Sequence, residues 1–174
     1  GGTATEMEAF SKQVLSMSNA TAQSADTINE AVYSVISATG SSMTDSMAIV
    51  DQANQLATAG FADLDSSISV MTTAMNAYHM SVEDAAHISD SLITTQNLGV
   101  TTVAELSAAM GKAIATGGAY GISLENIESG YISLTKNGIN TAEATTYMSS
   151  MFKELADAGT DVGVIIVSKT GKSF

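Results

Sequence analysis

The stretch GVTTVAELSAAMGKAIATGGAYGISLENIESGYISLTKNGINTAEATTYMSSMFKELADAG, from Gly99 to Gly159, decides the fold. Gly99 is followed by a polar start at Thr101-Thr102, a helix-like run to Ala115 and the break Gly117-Gly118-Ala119-Tyr120-Gly121. A second run goes from Ser123 to Asn137 and stops at Gly138. A third goes from Thr141 to Ala158 and stops at Gly159. Glycine suits such joints because helices commonly end on a residue with positive φ, which glycine adopts without steric cost. The punctuation predicts three amphipathic helices forming one unit.

Working upstream, the same punctuation recurs. Gly40, Gly99 and Gly159 lie 59 and then 60 residues apart, and each closes a run opened by a hydroxyl residue, Ser24, Ser81 or Thr141. A fixed period of this order is the mark of a repeat array. Ser24–Gly40, Ser81–Gly99 and Thr141–Gly159 are therefore expected to be equivalent helices of successive three-helix units. Joints are expected at Gly40, Gly60, Gly99, Gly138 and Gly159.

The apolar spacing agrees. Leu64, Ile68, Met71, Met75 and Tyr78 follow at intervals of 4, 3, 4 and 3, a single helical stripe. Similar stripes run through Met7, Phe10, Val14 and Met17, through Ile28, Val32, Val35 and Ile36, and through Met43, Met47, Val50, Asn54 and Ala57. Downstream they continue in Val82, Ala85, Ile88, Leu92 and Thr95, in Val103, Leu106, Met110, Ala113 and Ile114, and in Leu124, Ile127, Tyr131 and Leu134. The last joins Ala144, Tyr147, Met148, Met151, Phe152 and Leu155. Ser42 with Asp45, Ser81 with Asp84 and Thr102 with Glu105 have the spacing of helix N-caps, and Asp63 reads as another. The expectation is an all-α fold of about eight short helices, a compact or solenoid-like array of repeated three-helix units. No helix this short is stable alone, so stacking must supply the core.

Composition narrows the function. The chain has 174 residues, no proline, no cysteine and no tryptophan. Missing proline favours uninterrupted helices, and missing cysteine excludes disulfides and thiolate metal sites. Eighteen acidic residues face six lysines and no arginine, a net charge of −12. That balance disfavours nucleic-acid binding, which needs clustered cations to displace counterions. Basic tracts for an anionic membrane are also absent, and Val162–Val167 is far too short to span one. Charged residues are only 14% of the chain, so the outer helix faces are covered by Ser, Thr, Asn and Gln or by a partner. The start Gly1-Gly2-Thr3-Ala4 reads as the beginning of a piece of something longer.

No constellation of residues names a chemistry. His87, with Glu83, Asp84 and Asp90 at helical offsets, resembles half of a carboxylate-bridged metal site, but the only other histidine is His79 and the second Glu-x-x-His helix is missing. A solvated polar face is the simpler reading. Gly171-Lys172-Ser173 lacks the earlier glycine of a phosphate loop, since Ile166 stands there, and no helix can follow it. The Gly117–Gly121 run joins two helices and follows no strand, so it is no dinucleotide fingerprint. No serine sits in a nucleophile-elbow setting. The methionines suit a peptide groove, but at stripe positions they are ordinary core. No catalytic, cofactor-binding or metal residue is assigned, and no enzyme activity or cofactor is expected.

An ordered series of phrases carries a family resemblance. It begins with Asn54-Gln55-Leu56-Ala57-Thr58-Ala59-Gly60-Phe61, Met71 to Tyr78, and Ser81-Val82-Glu83-Asp84-Ala85. It continues with Thr101-Thr102-Val103-Ala104-Glu105-Leu106, Tyr120-Gly121-Ile122-Ser123, Leu134-Thr135-Lys136-Asn137-Gly138-Ile139 and Thr141-Ala142-Glu143-Ala144-Thr145. This series resembles the core region of bacteriophage and prophage tail tape-measure proteins. The resemblance implies a structural protein, a long helical chain inside the growing tail tube whose length sets that of the tail, with a part in DNA ejection. It implies tail-tube and tail-tip proteins, tail assembly chaperones and copies of itself as partners, and a place in the virion tail after synthesis in the host cytoplasm. The family assigns no catalytic residues to this region.

The expected organisation is an N-terminal helix of a longer chain in residues 1–23, a helical core in 24–159, and a C-terminal arm in 160–174 whose Val164–Val167 reads as a short strand or extended segment. Two other classes compete. One is a helical-repeat protein-binding module, which the period supports. The other is a chemoreceptor-like helical signalling segment, which needs long uninterrupted heptads where these helices stop every 15–20 residues.

Overall fold

The computed structural model describes residues 4–157. The expected arm 160–174, with Val164–Val167 and Gly171-Lys172-Ser173, lies outside the described residues, as does the joint at Gly159. Among the described residues the protein is all α, with nine α-helices, one 3-10 turn and no strand.

The helices begin where hydroxyl and carboxylate side chains can accept from orphan backbone amides. Ser24 accepts from Thr27 N at the start of α2 (Ala25–Thr39), Ser42 from Asp45 N at α3 (Met43–Gly60), and Asp63 from Ser66 N at α4 (Leu64–Tyr78). Ser81 and Asp84 complete a capping box over a 3-10 turn, Val82–Asp84, that leads into α5 (Ala85–Leu98). Thr102 and Glu105 complete another at α6 (Val103–Ala109), and Ser123 caps α8 (Leu124–Lys136). The cap of α9 (Thr141–Ala156) is Asn140, one residue before the expected Thr141. The N-terminal α1 (Ala4–Ala20) lies against α2 and α3.

Between α6 and α9 the sequence reading needs correction. One run to Ala115 with a glycine-rich break was expected. Helix instead continues through Gly117 and Gly118 as α7 (Gly111–Ala119), and the interruption falls at Met110. It is one residue wide: Met110 keeps helical dihedrals, and its carbonyl accepts from Ile114 N at 2.9 Å. Glycine in a helix costs backbone entropy, which makes Gly111 a natural place for the interruption.

The joints follow two physical rules rather than one. Gly40 ends α2 with φ of 70°, as expected of a left-handed cap. At the next joint α3 runs through Gly60 and the left-handed residue is Phe61, φ 52°. Gly60 is there for room: a β-carbon on it would stand 2.4 Å from Val103 Cγ2. Gly99 is extended, and its β-carbon would lie 2.9 Å from the Thr95 carbonyl oxygen and 3.0 Å from Thr135 Oγ1. Close approach, not positive φ, demands glycine at these two positions.

The stripes form one core. Leu64, Ile68, Met71 and Met75 of α4 are buried, as are Ile28, Val32 and Val35 of α2 and the Val103–Ile114 set of α6 and α7. Burying each large apolar side chain is worth ~1.5–3 kcal/mol. Helix α4 is central, touching α2, α3, α5, α6 and α7. Every substantial helix contact joins helices no more than three places apart in the chain, as α3 with α6, α4 with α7, α5 with α8 and α6 with α9. The two successive groups are not packed alike. In α2–α3–α4 all three pairs are in broad contact, whereas α5 turns mainly to α3 and α8 and touches α6 only lightly. The punctuation repeats more closely than the packing does, because the middle helix of the second group is divided.

Candidate functional site

Helix periodicity put His87 beside Glu83, Asp84 and Asp90. The fold uses them separately. Asp84 accepts from Ser81 N at 2.8 Å in the capping box. His87 Nε2 lies 3.1 Å from Glu125 Oε1, a partner 38 residues away on α8. That hydrogen bond, foremost, holds the Glu125 carboxyl below its usual range. His79 is the left-handed cap residue of α4, at the mouth of a shallow groove lined also by Thr73, Ala77, Ala115 and Gly118. No three His, Asp or Glu side chains among the described residues are arranged to hold a metal. Met71, Met75, Met110 and Met148 are buried in the core, and Met47, also buried, borders a groove between α1 and α3 together with Met17.

The residue that periodicity missed is Glu128. It is only 5% exposed, on the side of α8 that meets α5. Its Oε1 lies 2.7 Å from Ser91 Oγ, which is also 3.0 Å from the Ile88 carbonyl of its own helix. Burial, assisted by the charge of Glu125 and opposed by the Ser91 hydrogen bond and His87, pushes its carboxyl up to about 7. The phenol of Tyr78 on α4 is raised to about 12 by burial and then by Glu125 and Glu128, and its buried hydroxyl has no hydrogen-bond partner among the described residues. A groove of about 380 Å³ runs along this seam, lined by the polar His87, Asp90, Glu125 and Glu128 and the apolar Leu98 and Ile132. The available signal was position: Glu128 falls four residues after Leu124 and three before Tyr131, inside the apolar stripe.

A second polar cluster, with Thr101 and Thr141 buried and Glu105 exposed, ties the starts of α6 and α9. Glu105 Oε2 accepts from Thr102 N at 3.1 Å and from Thr141 Oγ1 at 3.2 Å, and Thr101 and Thr141 hydroxyls lie 2.7 Å apart. Deeper, the Tyr131 hydroxyl meets Thr145 Oγ1. Elsewhere threonine hydroxyls turn back onto their own helices, as Thr39 to Val35 O, Thr72 to Ile68 O and Thr95 to Ser91 O. These side chains close helix ends and seams. No described helix is long and apolar enough to cross a membrane.

Compared with known families, residues 11–173 match the phage-related minor tail protein family, and the chain belongs to it. The chain is 31% identical over 183 residues to a probable tape measure protein of Clostridium phage phiCD119. That match covers 100% of this chain and 19% of the relative, so the chain spans about one fifth of the relative's length. No solved structure matches it.

Proposed function

We propose that this chain is the helical core segment of a tail tape measure protein, acting by assembly and not by catalysis. The observation that carries this reading is the 31% identity to a probable tape measure protein along the entire chain. In this reading residues 24–159 are the packed core, 1–23 a helix leading in from a longer chain, and 160–174 an arm leading on. The full-length protein sets tail length within the tail tube, contacts tube and tip proteins and assembly chaperones, and leaves the tail at DNA ejection. The net charge of −12 suits a protein sharing a tube with DNA, since like charges resist adhesion. No residue is assigned a catalytic, cofactor or metal role.

Lengthening or shortening the full-length reading frame in the phage tests this. Tail length measured by electron microscopy should change in proportion, and tails of constant length reject the ruler role. The longest described helix has 18 residues, which weighs against the signalling alternative, because sustained heptads require far more.

A further inference from the structure

At Ser91 in the α5–α8 seam, a single hydroxyl hydrogen stands between two acceptor oxygens. Ser91 Oγ lies 2.7 Å from Glu128 Oε1 and 3.0 Å from Ile88 O, and a serine hydroxyl has only one proton to donate. With Glu128 ionised, one of these contacts lacks a hydrogen. With Glu128 protonated, its O–H donates to Ser91 Oγ, whose own proton goes to Ile88 O, and both contacts are satisfied. We propose that Glu128 is a proton-operated latch between α5 and α8, closing the seam when protonated and loosening it when ionised.

The surroundings favour the neutral form. Among the described residues no lysine pairs with Glu128. The charged and titratable groups facing it are His87 and Asp90 from α5, Glu125 from its own helix and the Tyr78 phenol from α4. His87 is engaged by Glu125. Helices α7 and α9, also packed on α8, contribute no ion pair to it. The groove beside the seam gives protons access to the carboxyl.

The sign follows from the raised value in the fold. Protonated Glu128 stabilises the folded chain fully below the unfolded value of 4.5, and that contribution is lost as pH rises through about 7. This latch is independent of the tape measure reading. Urea unfolding of the chain and of Glu128→Gln between pH 6 and 8.5 tests it, because a glutamine amide donates to Ser91 at every pH. The wild-type folding constant should fall about ten-fold over that range relative to the variant's. Amide exchange should quicken selectively in Ala85–Leu98 and Leu124–Lys136 of the wild type. Parallel curves, or faster exchange spread evenly through α2 to α4, overturn the proposal. Carbon-13 titration of the wild-type glutamate carboxyls needs no variant. One resonance titrating near neutrality together with seam amides supports the latch, and all titrating below pH ~5.5 overturns it.

Discussion

Gly60 and Val103 meet so closely that a β-carbon at position 60 would lie 2.4 Å from Val103 Cγ2 and 2.6 Å from Val103 Cβ. The end of α3 and the start of α6 are thus fixed to one another by the absence of a side chain.

Gly60→Ala should destabilise the chain by ~1–3 kcal/mol, because the added methyl must displace a packed β-branched residue. Gly111→Ala should do the opposite by ~0.5–1 kcal/mol, since its new β-carbon would meet nothing nearer than Thr73 Cγ2 at 3.9 Å. Urea midpoints of the two variants should move in opposite directions.

Phe61 is 92% exposed and has φ of 52°, so its ring packs on nothing while its backbone occupies a conformation disfavoured for bulky residues. Phe61→Gly should raise stability by about 1 kcal/mol through relief of the left-handed strain. A higher thermal midpoint with unchanged helical circular dichroism is the expected result.

Tyr131 is fully buried and its hydroxyl bonds to Thr145, which retains its own bond to the Thr141 carbonyl. Tyr131→Phe should therefore cost only about 1 kcal/mol. Tyr131→Ala leaves a cavity as well and should cost ~3–5 kcal/mol. Equal losses in chemical denaturation would mean that the hydroxyl, not the ring, dominates.

Glu105 serves two helices at once, capping α6 through Thr102 N and holding Thr141 at the start of α9. Glu105→Ala should cost ~2 kcal/mol and Ser42→Ala, a cap local to α3, only ~1 kcal/mol. Glu105→Ala combined with Thr141→Val should show a coupling energy of 0.5 kcal/mol or more, measured in a double-mutant cycle.

The helical class and most starting points were legible because caps and stripes are local: Ser24, Ser42, Asp63 and Thr102 each act within three residues of themselves. The joints were less legible, because a glycine demanded by positive φ, as Gly40, looks the same in sequence as one demanded by a neighbour, as Gly60 beside Val103. The candidate site was the least legible part. His87 stood out, yet its partner Glu125 comes from 38 residues away, and Glu128 acquires its character from burial against α5. The His87–Glu125 pairing leaves no periodic trace, and Glu128 leaves only its place within the Leu124–Tyr131 stripe.

That the substantial contacts among the described helices join helices no more than three places apart has a mechanical consequence. Pulling on either end of such a chain detaches the outermost helix without first breaking any broad contact at the far end. Extension then proceeds as a succession of small yields instead of one large rupture, each releasing a helix of 18 residues or fewer.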